Sequence, residues 1–259
     1  MFEGVAVRLA TLFRSERFSV SKPWAGDRSR YVVEMFGAIA GHYDLMNWVM
    51  TLGQDQRWRR QAAEVAQLHG GQHALDVATG TGDLAFELAK DVAPTGHVIG
   101  VDVAEPMLAV ARKKSAGKGL PVAFELGNTL EISYPDNHFD AVTCAFGLRN
   151  VDDRSRALLE MTRVAAPGAR VVILELTPPT NPLARKYMHE VVPRLGAMIA
   201  RARQAYTYLP ESVQEFPRAE ALGRMMQEAG LRQVTYRLLN FGTVALHWGT
   251  KAGGQRELS

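Results

Sequence analysis

Leu75-Asp76-Val77-Ala78-Thr79-Gly80-Thr81-Gly82-Asp83 is the stretch around which this chain is organised. It follows a short apolar run that reads as a strand. It precedes Leu84, Ala85, Leu88 and Ala89, whose spacing is that of one helical face. The stretch therefore predicts a strand, a glycine-rich turn and a helix start. Gly80 and Gly82 allow a tight turn and let a ligand approach with no Cβ in the way. The open N–H groups of the helix start then face that ligand.

Two cofactor classes use such a turn. Gly80, Gly82 and Ala85 satisfy the dinucleotide pattern G-x-G-x-x-G/A. The carboxylates of Asp76 and Asp83, on either side of the turn, oppose that reading, because a dinucleotide brings a diphosphate. Like charges about 4 Å apart cost roughly 4 kcal/mol at an effective dielectric near 20. S-adenosylmethionine carries an ammonium and a sulfonium, which the same acids attract. Val98-Ile99-Gly100-Val101-Asp102 reads as a second strand ending in an acid. Asp102 lies twenty residues after Gly82, where it suits ribose hydroxyls.

The 259 residues suffice for one good core with some additions. Apolar residues make up 47% and charged residues 22%, an ordinary globular balance. The net charge of +3 is too mild to imply nucleic acid, and no basic run interleaves with aromatics. Cys144 is the single cysteine, which excludes an internal disulfide framework and fits a reducing, cytoplasmic compartment. No apolar run approaches a membrane span, and no secretory signal is evident. No His/Cys/Asp spacing suggests a metal site.

Outward from the glycine turn, strands and helices alternate. The spacing predicts helix 84–92, strand 98–102, helix 107–115 with Pro106 in its first turn, and strand 122–126. Strand 139–146, helix 155–165 and strand 170–176 follow. Such alternation implies a parallel sheet covered on both faces, with ligands at the carboxyl ends of its strands. Asp102, Asn128, Arg149 and Glu175 all fall at those ends. Helix 219–229, capped by Gly230, leads to a closing hairpin of 234–239 and 244–250.

Two regions stand outside the alternation. Before it, residues 31–69 have helical spacing and read as a cap that presents apolar side chains to a greasy substrate. After strand 170–176, residues 177–216 form an aromatic-rich helical insertion. It reads as a lid or substrate wall, or else as a packing insertion or dimer contact. Residues 1–30 mix apolar and arginine residues; a poorly ordered terminus and a basic amphipathic helix at a membrane surface both fit them. The expected organisation is an extension (1–30), a single domain (31–250) and a tail (251–259).

Six blocks now add up to a resemblance. They are Tyr43-Asp-Leu-Met-Asn47 with Trp58, the glycine turn, Pro135-Asp-Asn-His-Phe-Asp140, Phe146-Gly-Leu-Arg-Asn-Val151, Tyr206-Thr-Tyr-Leu209 with Ser212, and Val244-Ala-Leu-His247. The chain resembles the class I S-adenosylmethionine-dependent methyltransferases, in particular the C-methyltransferases of menaquinone and ubiquinone biosynthesis. The resemblance implies a doubly wound, mostly parallel α/β sheet of seven strands, Rossmann-like, with its last strand antiparallel. It implies cofactor contacts at Thr81, Asp102, Asn128 and Thr129, to which the turn adds Asp76, Gly80 and Gly82. Tyr43, Asn47, Asn150, Tyr206 and Tyr208 are the candidate residues at the substrate. Three positions depart from the family's habit: Asp55 stands for histidine, Ala145 for serine, and Ala166-Pro167-Gly168-Ala169 for Lys-Pro-Gly-Gly.

The expected partner is a polyprenyl quinol, reached by peripheral contact with the membrane. A homodimer or a quinone-synthesis complex is compatible with the chain. Another small aromatic or sterol-like acceptor, or a non-catalytic cofactor-binding subunit, are the alternatives. Ring methylation needs a nucleophilic carbon, which an ionised ring hydroxyl supplies. A phenol has a pKa near 10, so ionising it at pH 7 costs about 4 kcal/mol. Arg149 is the candidate cation that offsets this cost, with His189, Tyr206 and Tyr208 as weaker candidates for moving the proton.

Overall fold

The apolar runs pair into one sheet, and the helical segments between them cover both of its sides. The structure is a computed structural model and describes residues 28–179, 181 and 203–253. The cap consists of α1 (Arg28–Ile39), a 3-10 turn (Ala40–His42), α2 (Tyr43–Thr51) and α3 (Gln54–Ala66). The alternating part runs β1 (His73–Val77), α4 (Asp83–Val92), β2 (His97–Asp102), α5 (Glu105–Ser115), β3 (Val122–Leu126) and β4 (Phe139–Ala145). It continues through a 3-10 turn (Leu148–Asn150), α6 (Arg154–Val164) and β5 (Ala165–Leu176). Then come α7 (Arg203–Gln214), α8 (Ala219–Glu228), β6 (Leu231–Leu239) and β7 (Val244–Lys251).

The strand order is β3-β2-β1-β4-β5-β7-β6. β1 to β5 are parallel, and β7 runs antiparallel to both β5 and β6. From β1 the chain winds outward to β2 and β3, then returns to the other side of β1 as β4. That reversal opens a crevice above the carboxyl ends of β1 and β4, where such sheets bind ligands. Burial on both sides explains the near-continuous apolar strands. Val171 and Ile173 join the core with α6 and α8; Val172 and Leu174 join the one with α3 and α4. Leu84, Ala85, Leu88, Ala89 and Val92 are the buried stripe of α4, as their spacing predicts. Truncating a fully buried leucine such as Leu75 or Leu88 to alanine costs about 2–5 kcal/mol.

Two strands begin earlier than their alternation suggests. β5 starts at Ala165, because Ala165 pairs with Phe139 before a register shift absorbs Pro167 and Gly168. β6 starts at Leu231, across another shift between Arg232 and Thr235. Bulges break the period of two, so the sequence pattern conceals both starts. The hairpin forms as expected, but only β6 is at the sheet edge; β7 is inserted beside β5. The expectations for residues 1–27, for 182–202 (with His189), for the Tyr206 side chain and for 254–259 lie outside the described residues.

Candidate active site

The crevice holds a narrow cleft of about 150 Å³. Its floor is the glycine turn. Gly80 has φ 58° and donates its N–H to Asp102 Oδ2 at 2.8 Å, while Ala104 N–H donates to Oδ1 at 2.9 Å. Asp102 thus ties the ends of β1 and β2 together, and its carboxylate keeps accepting capacity beyond these bonds. Burial raises the pKa of its carboxyl. Gly80, Thr81, Asp102, Asn128 and Thr129 all line this cleft. Five of the seven expected cofactor residues are therefore brought together.

The other two are not. Asp76 is buried beneath the turn and accepts hydrogen bonds from the hydroxyls of Thr79 and Thr143, both at 2.6 Å. Burial pushes its carboxyl up to about 6, against the two hydroxyls and Arg59, which pull it down. It supports the turn from below rather than lining the cleft. Gly82 has φ 83°, and a Cβ there would come 2.6 Å from Phe124 Cζ. The space that Gly82 leaves is filled by an aromatic ring of the core, not by a ligand.

Asp83 does face the cleft. Burial acts to raise its pKa, but Arg59 and Lys114 more than reverse this and hold it below the usual carboxylate range. Lys114 Nζ donates to both Asp83 and Asp44, the latter at 2.7 Å, and Asp44 accepts the Thr81 hydroxyl at 2.5 Å. The surroundings of the turn are thus less negative than two bare acids suggest. The charge contrast with a diphosphate is correspondingly weaker.

A larger cavity of about 580 Å³ adjoins the cleft. Its walls are mostly apolar: Met35, Ile39, Met46, Met50, Leu176 and Val244 contribute. Cap and α7 roof it, with Met46 packing near Val213, and Val32 and Met35 near Tyr208. Four residues line both spaces: Phe36, Tyr43, Arg59 and Phe146. Phe36 and Tyr43 meet edge to face at 5.7 Å, and the Arg59 guanidinium sits 5.1 Å from the Phe146 ring centroid. Arg59 is buried, 3.7 Å from Asp55 and 3.9 Å from Asp83. These side chains form the partition between cleft and cavity.

Arg149 lines the cavity and is buried. Its Nη1 donates to Glu175 Oε1 at 2.8 Å and also to the Phe146 carbonyl. Glu175 Oε2 accepts the Arg149 backbone N–H at 3.1 Å, so the short 3-10 turn is pinned to the end of β5. Burial acts to lower the pKa of the guanidinium, and Glu175 overrides it, leaving it raised. Its Nε is buried without a hydrogen-bond partner. Arg149 is therefore a fixed, charge-balanced donor rather than a bare cation. Asn47 and Tyr208 line the cavity, Asn150 lines the cleft, and the Tyr208 hydroxyl donates to Asn150 Oδ1 at 3.1 Å.

Sequence reasoning left out Arg59, and it noted Asp55 only as a departure from the family's habit, with no role. Both lie in the first turns of α3 and are buried, with Asp55 accepting the Thr51 hydroxyl at 2.9 Å. The available signal was Trp58, Arg59 and Asp55 at helical spacing on a face that also carries Ala62, which marks charge on a buried stripe. Among the described residues no group of His, Cys, Asp and Glu could hold a metal ion. His247 is buried, its Nε2 2.8 Å from the Ala219 carbonyl, and belongs to the fold.

Comparisons with known proteins agree with this geometry. The model of the ubiE/COQ5 methyltransferase family matches residues 25–251. A demethylmenaquinone methyltransferase of Deinococcus radiodurans is 48% identical over 229 residues, which cover 87% of this chain and 94% of the relative. One from Thermus thermophilus is 48% identical over 221 residues, covering 84% and 100%. A ubiquinone/menaquinone biosynthesis C-methyltransferase UbiE of Shewanella frigidimarina is 39% identical over 244 residues, covering 92% and 97%. In fold, a SAM-dependent methyltransferase of Thermotoga maritima matches with a TM-score of 0.59 at 21% identity, over 84% of this chain and 99% of that one. With cleft, partition and cavity in place, the chain belongs to the ubiE/COQ5 methyltransferase family and uses S-adenosylmethionine as its methyl donor.

Proposed function

We propose that this methyltransferase methylates a ring carbon of a reduced polyprenyl quinone, demethylmenaquinol before all others. The observation that carries the reading is the shared partition: a polar cleft and a large apolar cavity meet at four side chains. The two relatives at 48% identity, both named demethylmenaquinone methyltransferase, support the naphthoquinol. The relatives at 39–41% named for both quinones favour the benzoquinol as second substrate. Residues 31–250 then act as one domain, with Asn181, Tyr208 and Leu209 in the cavity wall.

The cleft fits the donor. Asp102 has accepting capacity left for ribose hydroxyls, and Val103, Met107 and Leu130 offer an apolar slot for a flat base. Arg59 and Asp83 present opposite charges that match the carboxylate and ammonium of an amino acid. When bound, S-adenosylmethionine supplies an electrophilic methyl on a sulfonium. The protein's part is to hold the ring carbon in line with that methyl across the partition, which exploits proximity rather than acid strength. Arg149, from its side of the cavity, donates a hydrogen bond to the ring oxygen as it becomes phenolate. Asp55 accepts a hydrogen bond from the second ring hydroxyl, which an oxidised quinone lacks. Methyl transfer would form the methyl–carbon bond as the sulfur–methyl bond breaks, leaving the neutral thioether. The hydroxyl proton and then the ring-carbon proton would pass to water and one would return to the ring oxygen, a net release of one proton.

The prenyl tail occupies the apolar cavity and leaves towards lipid, so the enzyme works by peripheral contact from the cytoplasmic side. Among the described residues no helix is long and apolar enough to cross a membrane. The test compares kcat/KM for demethylmenaquinol, a benzoquinol of equal tail length and the oxidised naphthoquinone. The reading predicts that order, with no turnover of the oxidised form. A preference for a sterol-like acceptor, or a cofactor-binding protein that yields no methylated product, would overturn it.

A further inference from the structure

α2 is apolar on two faces. Tyr43, Met46, Asn47 and Met50 face the cavity. Leu45 and Trp48, three residues apart on another face, are each 58% exposed. Leu52, at the helix end, is 79% exposed, and Phe241, in the turn between β6 and β7, is 87% exposed. Leu52 and Phe241 also line the cavity, so they stand on its rim. Water offers no reason to hold four large apolar side chains this way.

The backbone at the rim is unusual as well. Leu52 has φ 52° and Phe241 φ 54°, and each has a left-handed neighbour, Gly53 at 74° and Gly242 at 81°. A leucine and a phenylalanine enter this region at a steric cost, and such cost concentrates at functional surfaces. Residues 45–54 and 238–246 carry no charged side chain. The nearest exposed charges beyond and before them are Arg57 and Arg237, while Asp44 is paired with Lys114. The rim is thus neutral and apolar, and Arg57 and Arg237, the exposed charges that follow and precede its two stretches in sequence, are both basic, which suits anionic headgroups above an acyl layer.

We propose that this rim seats the protein on an anionic lipid bilayer, with Leu45, Trp48, Leu52 and Phe241 entering the interface and the cavity mouth opening to the acyl layer. The proposal rests on the polyprenyl-quinol reading, because a tail that stays in lipid needs the mouth to face it. Tryptophan at the boundary is in keeping, since its ring is apolar and its N–H polar.

The test uses the full chain and vesicles of phosphatidylethanolamine and phosphatidylglycerol, without substrate. Co-sedimentation of the wild type is compared with that of Leu45→Glu/Trp48→Glu, whose side chains lie outside the cavity wall. The double variant should bind vesicles about tenfold more weakly or worse. Its melting temperature, and its turnover of a short-tailed quinol in solution, should match the wild type. Undiminished vesicle binding would overturn the proposal and place the anchor elsewhere in the chain. A wild-type dimer that the double variant converts to monomer, without vesicle binding by either, would overturn it in favour of contact between copies. If the wild type binds vesicles through this face yet methylates no quinol, the surface stands and the substrate reading falls.

Discussion

The cofactor cleft and the acceptor cavity share a partition, yet they are built by different means. The polar floor of the cleft comes from loops that directly follow β1, β2, β3 and β4, so Gly80, Thr81, Asp102, Asn128 and Thr129 are each placed by the strand before them, while the cap adds only its near wall through residues such as Phe36, Tyr43 and Arg59. The cavity is assembled from α1, α2, α3, the 3-10 turn after β4, α7 and the β6–β7 turn, segments about two hundred residues apart in sequence. Polar recognition is local and fixed by backbone hydrogen bonds such as Gly80 N–H to Asp102. Apolar volume arises from packing at long range. Damage to the cleft should therefore show as lost cofactor affinity, and damage to the cavity as lost turnover or altered acceptor choice.

Arg149 offers the largest effect. Arg149→Ala should lower turnover about a hundredfold or more, the scale of losing a donor to a developing anion. The substitution also destabilises the fold, because it breaks the ion pair with Glu175. Removing one partner of a buried pair costs about 3–5 kcal/mol. Arg149→Ala/Glu175→Gln should recover most of that stability in denaturant titration and none of the turnover. Recovery of turnover would make Arg149 a structural residue and erase the contrast between cleft and cavity.

Asp102 probes the other side of the partition. Asp102→Ala should weaken S-adenosylmethionine at least tenfold in calorimetry, since hydrogen bonds to a charged group contribute about 1.5–3 kcal/mol each. At saturating cofactor the KM for quinol should stay within about twofold, because Asp102 lines the cleft and not the cavity. Asp55→Asn should do the reverse at similar or smaller size: KM for quinol rises about five- to tenfold, and the calorimetric affinity for S-adenosylmethionine holds. If each variant moves both constants, the two spaces are one coupled site.

Asp76 gives the smallest effect, with a pH signature. Its folded pKa of about 6 lies above the usual aspartate value. The folded protein thus holds a proton that the unfolded chain has released. The contribution to stability is full below the unfolded pKa and is lost as pH rises through about 6. Between pH 5 and 8 the wild type should lose about 1 kcal/mol relative to Asp76→Asn. A difference that does not change with pH would mean that Asp76 is ionised throughout and closer to the cleft's solvent than its burial indicates.

Legibility in the sequence follows the same division. The helix and strand alternation and the glycine turn were readable, because burial on both faces imposes short-range periodicity; the antiparallel last strand came from the family resemblance. Gly80, Asp102 and Asn128 line the cleft where the glycine turn and the strand ends put them, while Thr81 and Thr129 came to notice through the family resemblance. Asp76 and Gly82 fall on the core side of the turn and do not line the cleft; adjacency in sequence cannot tell that side from the ligand side. Arg59 escaped notice, and Asp55 was marked without a role, because the importance of Arg59 comes from Phe146 and Asp83, which lie far along the chain. The rim around Leu52 and Phe241 was equally hidden: exposure of an apolar residue is a property of the fold.

Transfer of a labelled methyl tests the central claim most directly. The purified chain is incubated with methyl-13C S-adenosylmethionine and demethylmenaquinol under reducing conditions, and the product is read by mass spectrometry and carbon NMR. The account predicts one labelled methyl per ring, with the chemical shift of a methyl bonded to aromatic carbon, and a rate that collapses in Arg149→Ala at saturating cofactor. A label on oxygen, or no labelled quinone while S-adenosylmethionine binds normally, would contradict it.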